Sequence, residues 1–382
     1  MPLSVCMIVG QDTGTLRRAL ASVAQIADEI ILEATADDFG AENIATSFGV
    51  RVFNRPWADD FSAARNDAFA RATKDWIFWL DADERLDARS LYEMKACLAK
   101  ADALAWLVNI VDCSGPRDSP RFSSTPLPRL FRRIPELRLA GRVHEHFDPD
   151  LNVTAHRLGL DVRSSTINIF HDGYSLDRET EKLRRNARLM ELELHDRPGQ
   201  LLYQIRLSQA LLKISDTRAY DFLRQAWEQV RPLAGQSEPP LEPLIAELID
   251  SVIVRQSRGE FDPGCNIDAL HALAARWYPH WPPLIWRRAN WQFKQGRITE
   301  AAESLERLVH LAGNGTFDRV PSFDRRILGG EIHVNLGICY ARLGRFKDAS
   351  GCFALAAQDP DWSNIAMHNI EVLSKSEVRS QV

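Results

Sequence analysis

The sequence has few cysteines, and they form no recognisable pattern. All six are scattered along 382 residues without a C-x-x-C pair or a regular spacing: Cys6, Cys97, Cys113, Cys265, Cys339 and Cys352. In a chain this long, such a distribution is typical of reduced, mostly packed thiols in a cytosolic protein. It argues against a disulfide scaffold and against a structural zinc site built from cysteine.

Long apolar runs and a strong net charge are also missing. No apolar run approaches the roughly 20 residues that a helix needs to cross a bilayer. The net charge of −5 provides no basic field to gather nucleic acid or anionic lipid. The chain starts on the apolar run 3–9, without the basic flank and cleavage site of a signal peptide. We therefore expect a cytoplasmic protein with no transmembrane segment and no nucleic-acid partner.

The first third of the chain alternates short apolar runs with amphipathic stretches. The strand candidates are 3–9, 29–32, 50–53, 76–80 and 105–111, and the helical patterns between them are 15–24, 41–48, 62–72 and 90–99. This alternation predicts a mainly parallel sheet covered by helices. Such sheets bind their ligands at the carboxyl ends of the strands, so chemistry is expected just after each strand.

The rest of the chain changes character twice. Residues 113–161 look irregular, rich in Pro, Arg and Ser, and their small basic cluster is typical of a solvated face or an anion site: Arg129, Arg132, Arg133 and Arg138. After residue 174 the pattern is helical, with one amphipathic helix at 178–195 and a helical pair at 201–212 and 218–230. No strand pattern follows in the second half. We therefore predict an α/β domain, 1–175, and an all-α domain, 176–382.

The C-terminal segment resembles a tetratricopeptide unit. Small residues and aromatics have the required spacing from Asn335 through Gly344, Ala349, Phe353 and Ala356 to Pro360. Gly296, Ala301, Leu305 and Leu308 repeat the last part of that pattern, and residues 201–230 fit a third, more diverged copy. An unrelated helical bundle is the alternative.

The segment Asp81-Ala-Asp83 directly follows five apolar residues, Trp76-Ile-Phe-Trp-Leu80. A strand this apolar is buried, and it places the two carboxylates at the carboxyl edge of the sheet. In an extended chain, residues at this spacing face the same side. Hard oxygen ligands there suit Mg²⁺ or Mn²⁺ held jointly with a diphosphate. A solvated turn at the strand end is the alternative.

Longer segments resemble a known family. Phe61-Ser-Ala-Ala-Arg-Asn66 and 72–84, together with 128–132, Gly141-Arg-Val-His-Glu145 and His171-Asp-Gly-Tyr174, look like family 2 glycosyltransferases of the GT-A fold. More narrowly, they resemble the bacterial subgroup with C-terminal tetratricopeptide repeats. The resemblance implies an α/β GT-A domain, a nucleotide-diphospho-sugar transferase, followed by a TPR-like domain. It also implies inverting transfer from a nucleotide sugar, a UDP-sugar foremost, with one Mg²⁺ or Mn²⁺.

Carried onto this sequence, the resemblance implies that Asp81 and Asp83 hold the metal and the diphosphate. Arg65 would lie near the nucleotide, where a guanidinium suits phosphate or a uracil edge. The alternative for Arg65 is a structural ion pair with Asp67 or Asp59. Asn66 is expected to stitch the local turn rather than to contact ligand.

The segment Gly141-Arg-Val-His-Glu145 supplies the expected base. Inverting transfer needs a base near the acceptor, on the face opposite the departing diphosphate. We expect Glu145 in this role, with Arg142 or His144 shaping the donor pocket. Glu84 and Asp87 are the rival bases, and a salt-bridged connection between sheet and helices is the alternative for the whole segment.

His171 ends the strand-like run 166–170. GT-A enzymes often return a late histidine to the metal, and imidazole is a competent ligand. The resemblance therefore implies that His171 is a third metal ligand. A satisfied structural histidine is the alternative.

Two loops depart from the pattern of the subgroup. Gly10-Gln-Asp12 stands where Lys-Asn-Glu is usual, and Glu33-Ala-Thr-Ala-Asp-Asp38 replaces a segment whose first acid reads the nucleoside. Glu33 keeps the charge of that acid, but the turn glycine that follows is missing, so the loop must take another path. Both changes fall in the expected nucleoside pocket rather than at the metal.

Three functions remain open at this point. The first is an active glycosyltransferase whose helical half recognises a peptide or protein acceptor, or a surface-polymer precursor. The second is a catalytically decayed binding or scaffold protein. The third is a nucleotidyltransferase, which usually has a Gly-rich, basic loop after the first strand; here that loop is acidic and has no lysine.

Overall fold

The chain forms two compact units, Met1–Pro198 and Gly199–Val382, in a computed structural model. The structure describes residues 1–10, 13–36, 39–114, 121–171, 176–240, 242, 244–318, 321 and 323–380. By contacts, residues 176–198 belong to the first unit, although the sequence predicted a domain boundary after residue 175.

The first unit is an α/β structure. Its strands are β1 (Leu3–Val9), β2 (Glu29–Ala34), β3 (Arg51–Asn54), β4 (Trp76–Trp79), β5 (Glu84–Leu86), β6 (Ala103–Ser114), β7 (Arg121–Arg132), β8 (Arg138–Ala140), β9 (His146–Asp148) and β10 (Asp161–His171). Its helices are α1 (Leu16–Val23), α2 (Phe39–Thr46), α3 (Phe61–Arg71), α4 (Leu91–Ala99), α5 (Leu151–Leu158) and α6 (Leu176–Asp196).

Eight of these strands form one mixed sheet in the order β3-β2-β1-β4-β7-β6-β10-β5. The first four strands in that order run parallel to one another, whereas β7 is antiparallel to both β4 and β6. β5 pairs antiparallel with β10 at one edge. The expected alternation of strands and helices is confirmed, but the sheet is mixed because β7 inserts between two strands of the opposite direction.

The prediction of irregular structure for residues 113–161 was wrong. That segment contains the long strand β7, the hairpin β8–β9 and the helix α5. Pro126 and Pro128 lie within β7, where proline cannot donate a ladder hydrogen bond, so the strand pattern was hidden. β6 and β7 change register between Trp106 and Leu107, the residue that pairs with Pro128, which accommodates the missing donor.

Helix coverage explains why the central strands are buried on both faces. Every residue of β4 is buried, and β1 is buried at six of its seven positions. Trp76 and Phe78 therefore pack into the apolar core on one side of the sheet, and Ile77 between them packs into the core on the other side. A strand buried this way places the residues that follow it at the carboxyl edge of the sheet.

The second unit is helical throughout the described residues. Its helices are α7 (Leu201–Lys213), α8 (Ala219–Val230), α9 (Ile245–Ser257), α10 (Ile267–Trp277), α11 (Pro282–Lys294), α12 (Ile298–Asn314), α13 (Gly330–Arg342), α14 (Phe346–Ala356) and α15 (Ser363–Ser380). Consecutive helices pack as pairs, α7 with α8, α11 with α12, and α13 with α14. Gly337 lies directly against the ring of Phe353, as the tetratricopeptide pattern requires.

No helix in the described part of the chain has the length and hydropathy needed to span a membrane.

Candidate functional site

The segment after β4 forms a tight turn rather than an extended chain. The Glu84 N–H donates to the Asp81 carbonyl at 3.0 Å, and the Asp81 N–H donates to the Glu84 side chain at 2.8 Å. From α1, the Thr15 hydroxyl donates to the Ala82 carbonyl at 2.8 Å. The expectation that Asp81 and Asp83 share one face of an extended strand is therefore corrected, and the turn directs the two carboxylates to different partners.

Asp81 accepts hydrogen bonds from three buried cationic or aromatic groups. Arg65 donates at 2.8 Å, the Trp79 indole N–H at 3.0 Å and Arg129 at 3.4 Å. Burial acts to raise the pKa of Asp81, but the charges of Arg65 and Arg129 outweigh it and hold the pKa well below its usual range. Asp81 is therefore harder to protonate than an ordinary aspartate.

Each arginine also binds a second carboxylate, so the five side chains form one arginine–carboxylate network of Arg65, Arg129, Asp81, Glu84 and Glu145. Arg65 pairs with Glu145, and Arg129 pairs with Glu84 at 2.9 Å. Burial raises the pKa of Glu84 to about 7, against the opposing charge of Arg129. Burial likewise raises the pKa of Glu145, against the charge of Arg65. The network thus contains one carboxylate with a lowered pKa and two carboxylates with raised pKa values.

The Trp79 ring lies close to both guanidinium groups of the network. The guanidinium carbon of Arg65 lies 4.4 Å from the ring centroid, and that of Arg129 lies 4.0 Å from it. Both distances fall within the range of a cation–π interaction. The ring therefore contributes a cation–π contact to each of the two guanidinium groups that bind Asp81.

Asp83 turns away from the arginines toward His171 at the end of β10. Its carboxylate lies 3.0 Å from the His171 Nε2 atom, and 43% of the Asp83 side chain is exposed. The predicted metal residues Asp81, Asp83 and His171 therefore do not form a single cluster. Among the described residues, no group of three or more His, Cys, Asp or Glu side chains is arranged to hold a metal ion.

Helix α3 reaches the site because of its capping contacts. The Asp60 side chain accepts from the Ala63 N–H at the start of the helix, and the Phe61 N–H donates to the Arg142 carbonyl at 2.9 Å. Asn66 exchanges two hydrogen bonds of 2.8 Å with the Leu139 backbone. Asn66 thus stitches α3 to the distant strand β8, rather than to a local turn as predicted.

The predicted alternative partners of Arg65 are occupied elsewhere. Asp67 pairs with Arg55, and Asp59 pairs with Arg188 of α6 at 2.6 Å. The alternative of a structural ion pair between Arg65 and Asp67 or Asp59 was therefore wrong.

Arg142 connects its loop to helix α6. Its guanidinium donates to Asp196 at 2.6 Å and to the Asp59 carbonyl at 3.2 Å, and its backbone N–H donates to Glu193 at 3.0 Å. These contacts form a salt-bridged connection to a helix, which was the alternative predicted from the sequence for residues 141–145. The role of Arg142 in donor binding stays a prediction.

Glu33 lies at the carboxyl end of β2 and is completely buried. One carboxylate oxygen accepts from Arg71 at 3.2 Å, and the other has no hydrogen-bond partner among the described residues. Burial raises the pKa of Glu33, against the charge of Arg71.

The rival base Asp87 caps a short 3-10 helix and binds Arg89. Gln11, Asp12, Asp37, Asp38 and residues 172–174, which the sequence singled out, lie outside the described residues.

Two candidate functional residues, Arg129 and Arg185, were not singled out from the sequence. Arg129 was predicted to belong to a solvated face or an anion site, and it is 5% exposed and belongs to the arginine–carboxylate network. Arg185 of α6 has its guanidinium carbon 5.0 Å from the Phe61 ring centroid, and Arg65 lies 5.4 Å from the same centroid. The Arg185 side chain is exposed to solvent. Partial burial of its guanidinium lowers the pKa of Arg185, and the charges of Asp83 and Glu145 act in the opposite direction. The amphipathic pattern of α6 gave no signal that singled out Arg185.

Comparison with known proteins identifies the family of the chain. The sequence profile of Glycosyl transferase family 2 matches residues 4–152, from β1 into α5. A TPR repeat-containing protein of Synechococcus elongatus is 32% identical over 298 residues, which cover 72% of this chain and 68% of the relative. The chain belongs to glycosyltransferase family 2. Its enzyme class is that of the family, and the GT-A-type domain followed by a TPR-like region is confirmed.

A relative from Bacillus subtilis and a solved structure from S. aureus are also similar to this chain. The SPbeta prophage-derived glycosyltransferase SunS of Bacillus subtilis is 28% identical over 236 residues, or 59% of this chain and 53% of SunS. The chain thus spans about half the length of that relative. The S. aureus TarS structure in complex with UDP-GlcNAc is 12% identical, with a TM-score of 0.39, over 72% of this chain and 90% of TarS.

The family match includes most of the site of this glycosyltransferase. The whole arginine–carboxylate network and Asp83 lie within residues 4–152, whereas His171 and Arg185 lie beyond them. These two residues come from β10 and α6, which complete the first unit after the matched segment.

Proposed function

We propose that this family 2 glycosyltransferase moves a sugar from a nucleotide sugar, foremost a UDP-sugar, to a peptide or protein acceptor. The transfer inverts the anomeric carbon and depends on Mg²⁺ or Mn²⁺. The observation that carries the proposal is the Asp83–His171 pair, which lies beside the arginine-held Asp81 at the carboxyl end of β4. A surface-polymer precursor is the second acceptor class.

Asp83 and His171 fit a divalent cation that also binds the donor. A carboxylate and an imidazole are two protein ligands, and the diphosphate oxygens and water would supply the rest, as is usual for Mg²⁺. Asp81 is excluded from direct ligation as long as Arg65 and Arg129 bind its oxygens. When bound, the cation would neutralise charge on the leaving diphosphate.

The cationic side chains around Asp83 would complete the diphosphate site. Arg185 has no carboxylate within ion-pair distance in the part of the chain that the structure describes, in contrast to Arg188 one turn further along α6. A guanidinium donor near the leaving group stabilises the charge that develops there in the transition state. Arg185 is therefore the proposed diphosphate-binding residue, and Arg65 would act through its contacts with Asp81 and Glu145.

Glu145 is the proposed base. Arg65 fixes the orientation of its carboxylate, and 10% of the side chain is exposed, which leaves access from one side. A pKa raised by burial brings a carboxylate closer to the range in which it accepts an acceptor proton efficiently. In this step the acceptor atom attacks the anomeric carbon, and the bond between that carbon and the diphosphate oxygen breaks. The acceptor proton passes to a Glu145 oxygen.

The helical unit is the proposed acceptor-binding part. Stacked helical pairs of this type form extended surfaces that bind peptides, and three such pairs occur among α7–α8, α11–α12 and α13–α14. This is why a peptide or protein is placed first among the acceptor classes.

The test is a thermal-shift titration of the full chain with UDP- and GDP-sugars, with and without Mn²⁺. We expect one donor to raise the melting temperature only when Mn²⁺ is present, because ligands that bind the native state stabilise it. Asp83→Asn should abolish that Mn²⁺-linked shift, and Glu228→Gln, an exposed acid of α8, should not. A Mn²⁺-linked shift of equal size in Asp83→Asn would contradict the proposal.

A decayed scaffold is the second candidate, and Glu33 is the observation that favours it. The acid at the nucleoside position is buried and turned to Arg71 rather than exposed to a ligand. If Glu33 stays buried against Arg71, no donor in a broad panel should stabilise the wild-type protein, with or without Mn²⁺. Donor binding followed by release of nucleoside diphosphate would exclude the scaffold.

A further inference from the structure

A small cavity in the helical unit is lined by basic and hydroxyl side chains. Its volume is about 40 Å³, and it lies among residues of α10, α11, α12 and the turn after α10. The polar lining consists of His271, Tyr278, Arg288, Ser304 and Arg307, and the remaining lining residues are Ala, Pro, Leu and Ile. No carboxylate lines the cavity, so every charged group at its wall is a cation.

Two side chains of this cavity have buried polar atoms without partners. His271 is 3% exposed, and neither of its ring nitrogens has a hydrogen bond among the described residues. The Tyr278 hydroxyl is likewise unpaired in the described part of the chain. The His271 ring packs at 5.0 Å from the Trp291 ring, which fixes its position. Because buried polar groups are normally satisfied, these atoms indicate a bound group at the cavity.

The two arginines of the cavity also lack a counter-ion. Neither Arg288 nor Arg307 has an Asp or Glu oxygen within ion-pair distance among the residues described, whereas the adjacent Arg287 pairs with Asp250 at 2.8 Å. Burial, with help from the charge of Arg288, lowers the pKa of His271 to about 4. The charge of Asp268 acts in the opposite direction, and an anion beside Arg288 would likewise favour the protonated imidazole.

We propose that this cavity is a binding site for a small oxyanion, foremost a phosphate group, contacted by Arg288, Arg307, His271 and Tyr278. Guanidinium groups bind phosphate oxygens through charge-assisted hydrogen bonds, and the hydroxyl and imidazole N–H add neutral donors. One water-sized group needs about 10–15 Å³ of such a cavity, so a volume of about 40 Å³ has room for a small head group only. Arg307 is exposed, so the rest of an esterified ligand would extend past it to solvent. This site is independent of the proposed glycosyl transfer.

The probe is inorganic phosphate, measured by equilibrium dialysis against the full chain. We expect saturable binding of one phosphate at this cavity, weakened at least roughly tenfold in Arg288→Gln/Arg307→Gln, because each charge-assisted hydrogen bond has that order of effect. Arg258→Gln removes an exposed arginine outside the lining and should leave the affinity unchanged. Arg185→Gln should also leave it unchanged, which separates this site from the proposed donor site.

Folding of the variants is checked by circular dichroism, and if the double variant unfolds, the exposed Arg307→Gln alone is used. Glycerol phosphate distinguishes the source of the anion: tighter binding than inorganic phosphate indicates an ester, and weaker binding indicates the free ion. The inference is overturned if wild-type protein binds no phosphate saturably, or if the arginine variants bind it as the wild type does. A crystal grown in phosphate that shows only ordered water in the cavity would also overturn it.

Discussion

The charge state of each carboxylate in the site depends on which guanidinium it meets. Asp81 contacts both Arg65 and Arg129, whereas Glu145 and Glu84 each contact only one of them. Their pKa values differ accordingly, with that of Asp81 lowered and those of the two glutamates raised. Carboxylates whose pKa values differ in this way can take different roles in one reaction.

Glu145→Gln should reduce the turnover number for sugar transfer by about 10²- to 10⁴-fold, the usual contribution of a general base. Glutamine keeps the shape and a hydrogen bond to Arg65 but cannot accept the proton. The measurement is steady-state transfer with saturating donor, and the Michaelis constant for the donor should change little. Glu84→Gln is the matched comparison, and a larger loss of turnover in Glu84→Gln would reassign the base.

Arg185→Gln should weaken nucleoside diphosphate binding by about tenfold or more, the value of one charge-assisted hydrogen bond. Isothermal titration with UDP and Mn²⁺ measures this affinity. Arg184→Gln removes the neighbouring exposed arginine of the same helix and should bind UDP like the wild type. Equal losses in the two variants would show that only the general charge of α6 matters.

The sequence could predict that Asp81 ends a buried strand, because Trp76-Ile-Phe-Trp-Leu80 is uniformly apolar. It could not predict the arginine–carboxylate network, since Arg129 is contributed by β7 and Glu145 by a loop distant in the chain. Which acid meets which arginine depends on strand order, and strand order is set by long-range packing. The metal-binding role of Asp83 and His171 stays a prediction.

Among the elements, strand β7 shows where local pattern fails. Its prolines are unfavourable for a strand inside a sheet, yet β7 lies between β4 and β6. Pairing with two neighbours, a shift in register and the burial of Leu130 and Phe131 outweigh the missing donors. In the second unit, the bounds of α7 and α8 were predicted closely, because their apolar periodicity is sustained over many residues.

The α13–α14 pair gives a direct test of the tetratricopeptide packing. A Cβ atom at Gly337 would lie 2.5 Å from the Phe353 ring, whereas one at Gly351 of α14 would meet no atom within 4 Å. Gly337→Ala should therefore lower the free energy of unfolding by about 1–3 kcal/mol through overpacking. Gly351→Ala should raise it by about 0.5–1 kcal/mol, because alanine favours a helix interior. Urea denaturation followed by circular dichroism measures both, and equal effects of the two substitutions would contradict this packing.

At the scale of the whole molecule, each unit has its own apolar cores. The α/β unit has clusters on the two sides of its sheet, and the helical unit has one around α8–α11 and another around α11–α15. The two-part organisation was predictable, since strand patterns end where long helical periodicity begins. The exact boundary was not, because α6 looks like the later helices yet contacts the α/β unit through Asp59 and Arg142.

The stability of the whole chain should fall in acid through His271. The pKa of this histidine is about 4 in the folded protein against 6.5 ordinarily. The unfolded state therefore binds the proton first, and stability present above pH 6.5 is lost as the pH falls toward 4. The loss should reach at most about 3 kcal/mol. Urea denaturation in phosphate-free buffer at several pH values measures it.

His271→Phe should reduce this acid sensitivity, because the unfolded chain then gains no proton at that position. His310→Gln, which alters an exposed histidine of α12, is the control and should keep the wild-type pH dependence. An unchanged slope of stability against pH in His271→Phe would contradict the assignment.

The contact of Trp79 with both Arg65 and Arg129 has an optical consequence. The emission of an indole depends on the electric field across its ring, and here two cations and the Asp81 carboxylate set that field. Any ligand that draws one guanidinium away changes the field at the ring, so the molecule contains an intrinsic fluorophore within its own candidate site. Because the chain has ten tryptophans, the difference in emission between the wild type and Trp79→Phe reports occupancy of that site without an attached dye.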